Sequence, residues 1–538
     1  GKFGVGFYSV FMVAKEVKIR TKSYQKDQPS IEWVSDGIQK YKIRQIDPCP
    51  RGTEITIFFR DDVKDFTNDW KIKEIIKKYS EFVGFPIQML KEKEKEKSSS
   101  DDKKDEEQTA EKVEEPQEKE YVWETINSQT ALWKRSTSEI TDEQYKEFYK
   151  HTLGDYEDPF HYMHFSIEGA TQFKALIYFP KKRNRNLFIA EPDWGIKIFS
   201  KNILIQEKNR DVLPEYFRFI KGVIDSEDLP LNVSRETIQA TKVLARIKKA
   251  LTSKIISELE KLAKDETAKY KEFWNEFGIF IKEGITSDFT NKEKLMPLLR
   301  FYSSKNEDEL ISLDDYLSRK KDDQKDIYYL VAESLELAKA SPHLDYYLNN
   351  NYEVLFMTEP VDSFLMMNAR DYKGNNFYNV DQASDESKEK GEKKEEKPEE
   401  ETVSLKDLIT RFKTVLGDKI ADVKISDRLV NAPCRLVVSG FSSDMERVFQ
   451  YMSQVQEGDK KGFSASKRIL EINKNHQIIQ NLESLVLADE KNTIIDLTIN
   501  QLFHNASLQE GILDKPVEMI PDIVKIIEIA TTLSTNNK

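Results

Sequence analysis

The sequence predicts a multidomain protein built from α+β and α/β modules. The first observation is the length, because 538 residues are enough for about three or four domains with separate cores. The second is that two strongly charged stretches interrupt the apolar pattern. The third is that apolar residues alternate with the period of a strand in some segments and recur every three or four residues in others. Sheets and helices are therefore expected in each of several domains.

The two charged stretches set the predicted domain boundaries. Residues 91–120 contain 21 charged side chains and residues 385–401 contain 14. Segments with so little to bury do not form a core. We predict globular domains at 1–90, 121–384 and 402–538, with disordered segments at 91–120 and 385–401. A flexible segment at 91–120 is also the kind of tether that a domain rotation needs.

Composition excludes several classes of function. The net charge of −12 argues against nucleic-acid binding as a main task, since phosphate recognition needs clustered excess cations. No apolar run approaches the ~20 residues that span a bilayer. Cys49 and Cys434 lie far apart in no metal or redox spacing. We therefore expect a cytoplasmic protein in a reducing compartment, with no membrane and no nucleic acid among its partners.

The first domain is predicted to contain a small antiparallel sheet. Residues 16–24, 31–46 and 53–60 alternate apolar and polar side chains, and Gly37 and Gly52 mark turns between them. We expect these segments to form a meander beneath a bound ligand, with a helix at 69–83.

Further elements follow along the chain. A long amphipathic helix is predicted from Ser234 to about residue 265, followed by a helical region at 270–302. We also predict strands at 164–167, 173–179, 196–206, 423–426 and 435–439, a strand–helix–strand unit at 326–335, 343–349 and 353–357, and terminal helices at 493–503 and 517–529.

The start of the long helix is the central candidate site. Ser234 is a good N-cap, and Arg235 and Gln239 are four residues apart, so both lie on one face of the first turn. A fixed cation beside free helix N–H groups suits an anionic oxygen such as a terminal phosphate. The alternative is that Arg235 pairs with Asp225, Glu227 or Asp228 and holds a loop in place.

A glycine-rich run opens the chain. Gly1, Gly4 and Gly6 precede a short apolar helix, so the backbone can approach a ligand closely and offer N–H donors to a phosphate. A tight turn before a buried helix is the alternative.

Several stretches resemble the 90-kDa heat-shock chaperone family. They are GKFGVGFYSVFMVA at 1–14, RGTEI at 51–55, GVIDSEDLPLNVSRETIQ at 222–239 and SDRLVNAPCRLV at 426–437. The chain end is most similar to the bacterial high-temperature protein G branch, with an organelle relative as the alternative. The resemblance implies part of a Bergerat-type ATPase sandwich, an α/β middle domain and an α+β C-terminal dimerisation domain.

The resemblance also implies site residues. Arg235 would reach the γ-phosphate of ATP bound in another domain, and Gln239 would support it. Thr53 would contact adenine, although an ordinary strand threonine is the alternative. The remaining ATP contacts would come from Gly1, Phe3, Gly4, Val5, Gly6 and Phe7.

The implied function is an ATP- and Mg²⁺-dependent homodimeric chaperone that binds unfolded or partly folded clients. In the family, the general base and the Mg²⁺-holding Asn come from sequence that would precede Gly1. We therefore expect no metal ligand within this chain, and no ATP hydrolysis by this chain alone. Two copies of the C-terminal helices would form the dimer interface; packing back onto their own domain is the alternative.

Four side chains are candidates for client contacts. The resemblance places Trp133 on a client surface, with a core position as the alternative. Phe188 follows the basic patch at 181–185, which is either an amphipathic contact loop or a solvated hairpin tip. Met445 and Met452 lie in a stretch that is either an adaptable client contact or a packed helix. His161 and His164 lack a third ligand, so we predict no metal site there.

Two other function classes remain open. One is a client-binding scaffold in which nucleotide plays no part. The other is a DNA-acting ATPase of the same superfamily, which needs a basic groove or an acidic metal cluster and which the net charge of −12 disfavours.

Overall fold

The computed structural model describes most of the chain. The described residues are 6–38, 40–92, 121–188, 192–229, 242–382, 403–426, 428–438, 445, 447, 448, 467–489, 492–513 and 515–536. The fold divides into two compact units, one ending at Ser253 and one beginning at Lys254. The described part contains sheets and helices in both units, so the predicted mixed α and β class is confirmed. The predicted domain boundaries remain predictions.

The N-terminal unit begins with a four-stranded antiparallel sheet in the order β3-β2-β1-β4. Its strands are β1 (Ala14–Lys22), β2 (Ser30–Ser35), β3 (Tyr41–Ile46) and β4 (Gly52–Phe59). The predicted meander is wrong in one respect, because β4 pairs with β1 and not with β3. The pairing places Ile55 and Ile57 opposite Ile19 and Val17. These residues form one apolar face of the sheet.

A helix and a two-stranded ribbon follow this sheet. Helix α1 (Asp69–Ser80) begins where the Asn68 side chain accepts a hydrogen bond from the Trp70 N–H. Strand β5 (Gln88–Glu92) pairs antiparallel with β6 (Tyr121–Thr125). Lys91 and Glu92 therefore belong to a strand and not to the predicted disordered segment.

The second sheet of the N-terminal unit has five strands in the order β10-β9-β11-β8-β7. Helix α2 (Asp142–Leu153) begins at a Thr141–Gln144 capping box. The buried side of this helix packs against the five-stranded sheet. The strands are β7 (His161–Ile167), β8 (Phe173–Phe179), β9 (Ile196–Ser200), β10 (Ile203–Asn209) and β11 (Lys221–Asp225). Gly222 lies against the neighbouring strand, since a Cβ there would be 2.5 Å from the Leu176 carbonyl oxygen. Strand β11 ends at Asp225, just before the Arg235 segment.

Long helices follow. Helix α3 (Lys242–Asp265) confirms the amphipathic helix, while its predicted start at Ser234 lies outside the described residues. Helix α4 (Thr267–Ser287) carries the predicted aromatic face, with Phe273 and Phe277 buried. The helical region does not extend to residue 302, because Phe301 and Tyr302 lie in strand β12 (Arg300–Ser303).

The C-terminal unit contains what we call the α/β module, residues 300–382. Its sheet order is β13-β12-β15-β14-β17-β16. Strands β14 and β15 are parallel and joined through helices, which confirms the predicted strand–helix–strand unit. The further elements are β13 (Asn306–Ser312), β14 (Ile327–Val331), β15 (Val354–Met357), β16 (Asp371–Tyr372), β17 (Asn375–Asn379), α5 (Lys292–Leu295) before the module, α6 (Leu313–Arg319), α7 (Leu335–Lys339), α8 (Asp345–Asn349) and α9 (Pro360–Asn368).

The C-terminal module, residues 403–536, is a three-stranded sheet with helices. The strand order is β18-β20-β19. Its elements are α10 (Val403–Leu416), β18 (Asp422–Ile425), β19 (Cys434–Val437), β20 (Ile469–Ile472), α11 (Gln477–Ala488), α12 (Thr493–Gln509) and α13 (Ile520–Asn536). Its core includes Leu408, Phe412 and Ile499, whereas the α/β module has a separate cluster around Tyr347 and Phe356. The two predicted strands and the two predicted terminal helices are confirmed.

Short 3₁₀ helices connect these elements. They lie at Gly6–Met12, Asp61–Thr67, Leu132–Lys134, Thr137–Glu139, Arg185–Phe188, Glu215–Phe217, Met296–Leu298, Pro342–Leu344, Gly417–Lys419 and Pro516–Met519.

Candidate functional site

The glycine-rich run leads into a 3₁₀ turn that packs on the first sheet. The Ser9 Oγ donates a hydrogen bond to the Gly6 carbonyl oxygen at 2.7 Å. The rings of Phe7 and Phe11 meet the Trp33 ring with centroid distances of 5.9 and 6.4 Å. Trp33 lies opposite Ile19 on the apolar face of the sheet. The Gly6–Met12 turn therefore lies on that face.

Thr53 lies on the same face, two strands away. It pairs with Thr21 across β1 and β4, and the two Oγ1 atoms are 2.9 Å apart. Strands two positions apart are about 10 Å from each other. Ile55 and Ile57 are next to Thr53 on this face and remain 49% and 37% exposed. An apolar surface with a hydroxyl at its edge suits a flat heteroaromatic ring with polar edges.

Gly1, Phe3, Gly4 and Val5 lie outside the described residues, as do Arg235 and Gln239. Among the predicted nucleotide residues, the structure brings Gly6, Phe7 and Thr53 to one face of one sheet.

Asp225 anchors the end of strand β11, which precedes the Arg235 segment in the chain. This residue is 4% exposed, and its Oδ2 accepts from the Trp133 Nε1 at 3.1 Å and from the Asn202 backbone N–H at 3.3 Å. The Lys134 Nζ lies 3.2 Å from the same oxygen. Sequence reasoning considered Asp225 only as a partner of Arg235, because its actual partners are distant in the chain.

Two further contacts fix the turn after Asp225. The Ser226 Oγ donates to the Gln172 carbonyl oxygen at 2.6 Å, and the Gln172 N–H donates to the Asp228 Oδ2 at 2.7 Å. Asp225 and Asp228 thus have partners other than Arg235. These contacts hold the turn in place among the described residues, and the alternative interpretation of Arg235 stays open because that residue lies outside them.

A cleft of about 400 Å³ lies beside this turn. Lys134 and Lys174 line it together with Asp225, Glu227 and Asp228. Charges of both signs therefore face the same space. In the described ranges, no group of three His, Cys, Asp or Glu side chains is arranged to hold a metal ion.

The structure corrects the prediction that Trp133 contacts clients. Its side chain is 1% exposed, and its ring centroid is 4.8 Å from that of Phe82 and 4.6 Å from that of Phe199. A buried indole needs a partner for its N–H, and Asp225 supplies one. Trp133 is a core residue in this conformation.

The other candidate client residues differ in exposure. Phe188 is 47% exposed, and the guanidinium groups of Arg183 and Arg218 each lie 5.9 Å from its ring centroid. Met445 is half-buried, and Met452 lies outside the described residues. Phe188 is therefore the most exposed of the candidate client residues that the structure describes.

His164 of the predicted His161–His164 pair has a structural role. The His164 Nδ1 lies 2.7 Å from the Tyr145 hydroxyl, and its Nε2 lies 3.1 Å from the Trp133 carbonyl oxygen. Burial lowers the pKa of His164. Both ring nitrogens of His164 therefore have partners within the protein.

The last helix carries an exposed apolar stripe. Ile520, Val524 and Ile527 follow three- and four-residue spacing on α13 and are 53%, 47% and 55% exposed. Such a stripe at a helix surface suits packing against another helix.

Comparison with known proteins decides the family. The family model described as Hsp90 protein matches residues 65–538. This chain belongs to the Hsp90 protein family. Its relatives include the chaperone protein HtpG of Chlorobium phaeovibrioides, 37% identical over 99% of this chain and 79% of the relative. The HtpG chaperones of Desulfitobacterium hafniense and Shewanella amazonensis are 36% and 38% identical, over 98% and 90% of this chain and 80% and 74% of those proteins.

Membership of the Hsp90 family supports a molecular chaperone function for this chain. The family resemblance predicted from sequence is thereby confirmed. No helix in the described part of this Hsp90 chain is long and apolar enough to cross a bilayer.

Proposed function

We propose that this Hsp90-family chain acts as an ATP-dependent chaperone that binds unfolded or partly folded clients and works as a homodimer. The observation that carries the ATP part is the shared face of the first sheet. Phe7 reaches that face through its ring contact with Trp33, Gly6 precedes Phe7 in the same turn, and Thr53 lies on the face two strands away. The adenine ring would lie against Ile55 and Ile57, with Thr53 at its polar edge.

Arg235 supplies the catalytic cation in this proposal. A guanidinium neutralises charge as the γ-phosphate leaves, and Gln239 positions it from the next turn. The backbone of Gly1, Phe3, Gly4 and Val5 would wrap the phosphates together with Gly6 and Phe7. What supports this role is that Asp225 and Asp228, which precede Arg235 in the chain, are held by Trp133 and Gln172.

Mg²⁺ would accompany the nucleotide and neutralise phosphate charge. No residue of the described part is assigned to hold it. The protein's own contribution is to bind, orient and shield the nucleotide.

Client binding is assigned to the exposed Phe188 loop. The exposed aromatic ring and the exposed Arg183 guanidinium form a surface that is apolar at its centre and cationic at its rim, while Arg218 contacts the ring from a buried position. Met445 and Met452 are further client candidates. Free Cys49 and Cys434 are compatible with a reducing compartment, and the proposal places the protein in the cytoplasm.

The test compares ATP turnover and client binding in the same variants of the intact protein. Arg235→Ala should lower turnover by roughly 100-fold, because removing one donor to a developing charge costs about that much. Client binding should not change. Arg246→Ala is the control, since Arg246 is an exposed arginine on α3.

Each outcome separates the alternatives. Unchanged turnover in Arg235→Ala would remove the proposed catalytic role. If the intact protein binds clients but neither binds nor hydrolyses ATP, the nucleotide-independent scaffold is correct. Loss of client binding in Phe188→Ala with normal ATP turnover would show that clients bind the Phe188 loop and that this loop is not needed for ATP turnover.

A further inference from the structure

A loop of the C-terminal module encloses a carboxylate of the α/β module. The Asp345 Oδ2 accepts hydrogen bonds from the backbone N–H groups of Val430, Asn431 and Ala432, at 3.3, 2.8 and 2.9 Å. Consecutive backbone N–H groups that converge on one oxygen form an anion-binding nest. Here the anion is a side chain of the same protein.

The nest is organised by its own module. The Asn473 side chain is 1% exposed, and its Nδ2 donates to the carbonyl oxygens of Val430 and Ala432, both at 3.2 Å. With the carbonyls held on the Asn473 side, the N–H groups face Asp345. The Ser426 Oγ also accepts from the N–H groups of Arg428 and Leu429, each at 3.3 Å. The loop is therefore also held by contacts within its own module.

Other contacts at this joint are also polar. The Arg428 Nη1 lies 3.4 Å from the Tyr347 hydroxyl and 3.3 Å from the Tyr378 hydroxyl. The apolar cores of the two modules form separate clusters. The His343 Nε2 also lies 2.7 Å from the Glu510 Oε1, so a buried polar contact joins the same two modules. Polar interfaces between domains of one chain favour relative motion of the domains.

We propose that the 428–432 loop is a carboxylate receptor and that Asp345 occupies it as a releasable latch between the two modules. While the carboxylate is in the nest, the modules keep the arrangement described above. When it leaves, the nest is open to another small carboxylate. This inference concerns the joint alone and does not depend on the proposed ATP cycle.

The test measures amide hydrogen exchange at Asn431 and Ala432 in the full chain. In Asp345→Ala, exchange at these amides should be roughly tenfold faster or more, since charge-assisted hydrogen bonds protect them in the wild type. Sodium acetate should restore protection in this variant. Sodium chloride at the same ionic strength should not, because chloride lacks the carboxylate geometry.

Controls separate the latch from general loosening. Exchange in β15 and β20 should stay slow in Asp345→Ala, which shows that both modules are folded. Asp322→Ala removes an exposed aspartate of the same module and should change nothing. Asp345→Asn keeps the shape without the charge, and exchange should fall between wild type and Asp345→Ala.

Three results would overturn the proposal. One is wild-type exchange at Asn431 and Ala432 in Asp345→Ala. Another is faster exchange that acetate does not reverse, or that chloride reverses equally well. The third is an Asp345→Asn variant indistinguishable from wild type, since the negative charge would then be irrelevant. A spin-label distance between the two modules should broaden in Asp345→Ala and narrow again with acetate.

Discussion

The indole N–H of Trp133 donates to the Oδ2 of Asp225 at 3.1 Å, across 92 positions of the sequence. This bond joins the aromatic core of the second sheet to the end of β11. Because Asp225 is 4% exposed and receives several donors, its charge is part of the folding energy of this region.

Asp225→Asn should therefore destabilise the N-terminal unit. A hydrogen bond to a charged group is worth about 1.5–3 kcal/mol, and the amide keeps the shape but not the charge. Urea unfolding followed by tryptophan fluorescence measures the shift. Asp158→Asn is the control, since that side chain is 49% exposed in its pair with Lys150. Equal effects of the two substitutions would contradict the role of Asp225.

Gly37→Ala should destabilise the first sheet. Gly37 has φ +76°, and a Cβ there would lie 2.5 Å from the Phe11 ring. Left-handed backbone costs an L-residue about 1–2 kcal/mol, and the clash adds to this by moving Phe11 away from Trp33. A lower melting temperature is expected. Gly84→Ala should be nearly neutral, because a Cβ at Gly84 meets nothing within 4 Å.

Lys282→Met should destabilise the C-terminal unit strongly. Lys282 is 4% exposed, and its Nζ lies 2.6 Å from Glu359 and 2.7 Å from Asp362, which is fully buried. Leaving a buried carboxylate without its cation costs about 3–5 kcal/mol. The double variant Lys282→Met/Asp362→Asn should recover much of the loss in calorimetry. If it is no more stable than Lys282→Met, the buried ion pair is not the cause.

Acid should weaken the C-terminal unit through Glu510. Burial would raise the pKa of this carboxyl, but His343 at 2.7 Å and Arg468 at 2.9 Å outweigh it and hold the pKa at about 2, below the ordinary value of 4.5. A carboxyl group whose pKa is lower in the folded state than in the unfolded state stabilises the fold at pH values above its unfolded-state pKa. The contribution, on the order of a few kcal/mol, is lost as pH falls from 4.5 towards about 2.

Glu510→Gln should remove that part of the pH dependence. Unfolding midpoints measured across this pH range check the expectation. Glu518→Gln, at a side chain 67% exposed, should leave the dependence intact. An unchanged acid transition in Glu510→Gln would show that other groups determine it.

Charges on the last helix should weaken self-association. Ile520→Asp/Ile527→Asp places two carboxylates in the exposed apolar stripe of α13. If two copies pair through this stripe, the dimer dissociation constant should rise by at least ~10-fold, the usual effect of disrupting a central interface contact. Sedimentation equilibrium measures it. Lys525→Glu, an exposed polar position of the same helix, serves as the control. An unchanged constant would place the dimer contact elsewhere.

Local patterns predicted local structure well. The amphipathic spacing behind Lys242 and the βαβ unit at β14 and β15 are present as expected. The predicted end of the aromatic helical region was wrong. The apolar residues continue through Phe301 and Tyr302, but these two lie in a short strand. A four-residue strand is too short for its period to be distinguished from that of a helix.

Long-range partners were beyond sequence reasoning. The sequence of each strand does not predict that β4 pairs with β1, because the register and the neighbours of a strand depend on the whole sheet. The burial of Trp133 depends on Asp225, and the position of Asp345 depends on a loop about 85 residues away. The nucleotide hypothesis came from family resemblance. What the structure added is that Gly6, Phe7 and Thr53 share one face.

The pairing of β5 with β6 fixes the positions of the two ends of the charged stretch between them. Opposite Cα atoms in an antiparallel pair are about 5 Å apart, so the stretch leaves and re-enters the fold at one place. A tether that separates two bodies has its ends far apart, whereas these ends are fastened side by side. The length of the stretch can therefore change without shifting the parts of the protein on either side.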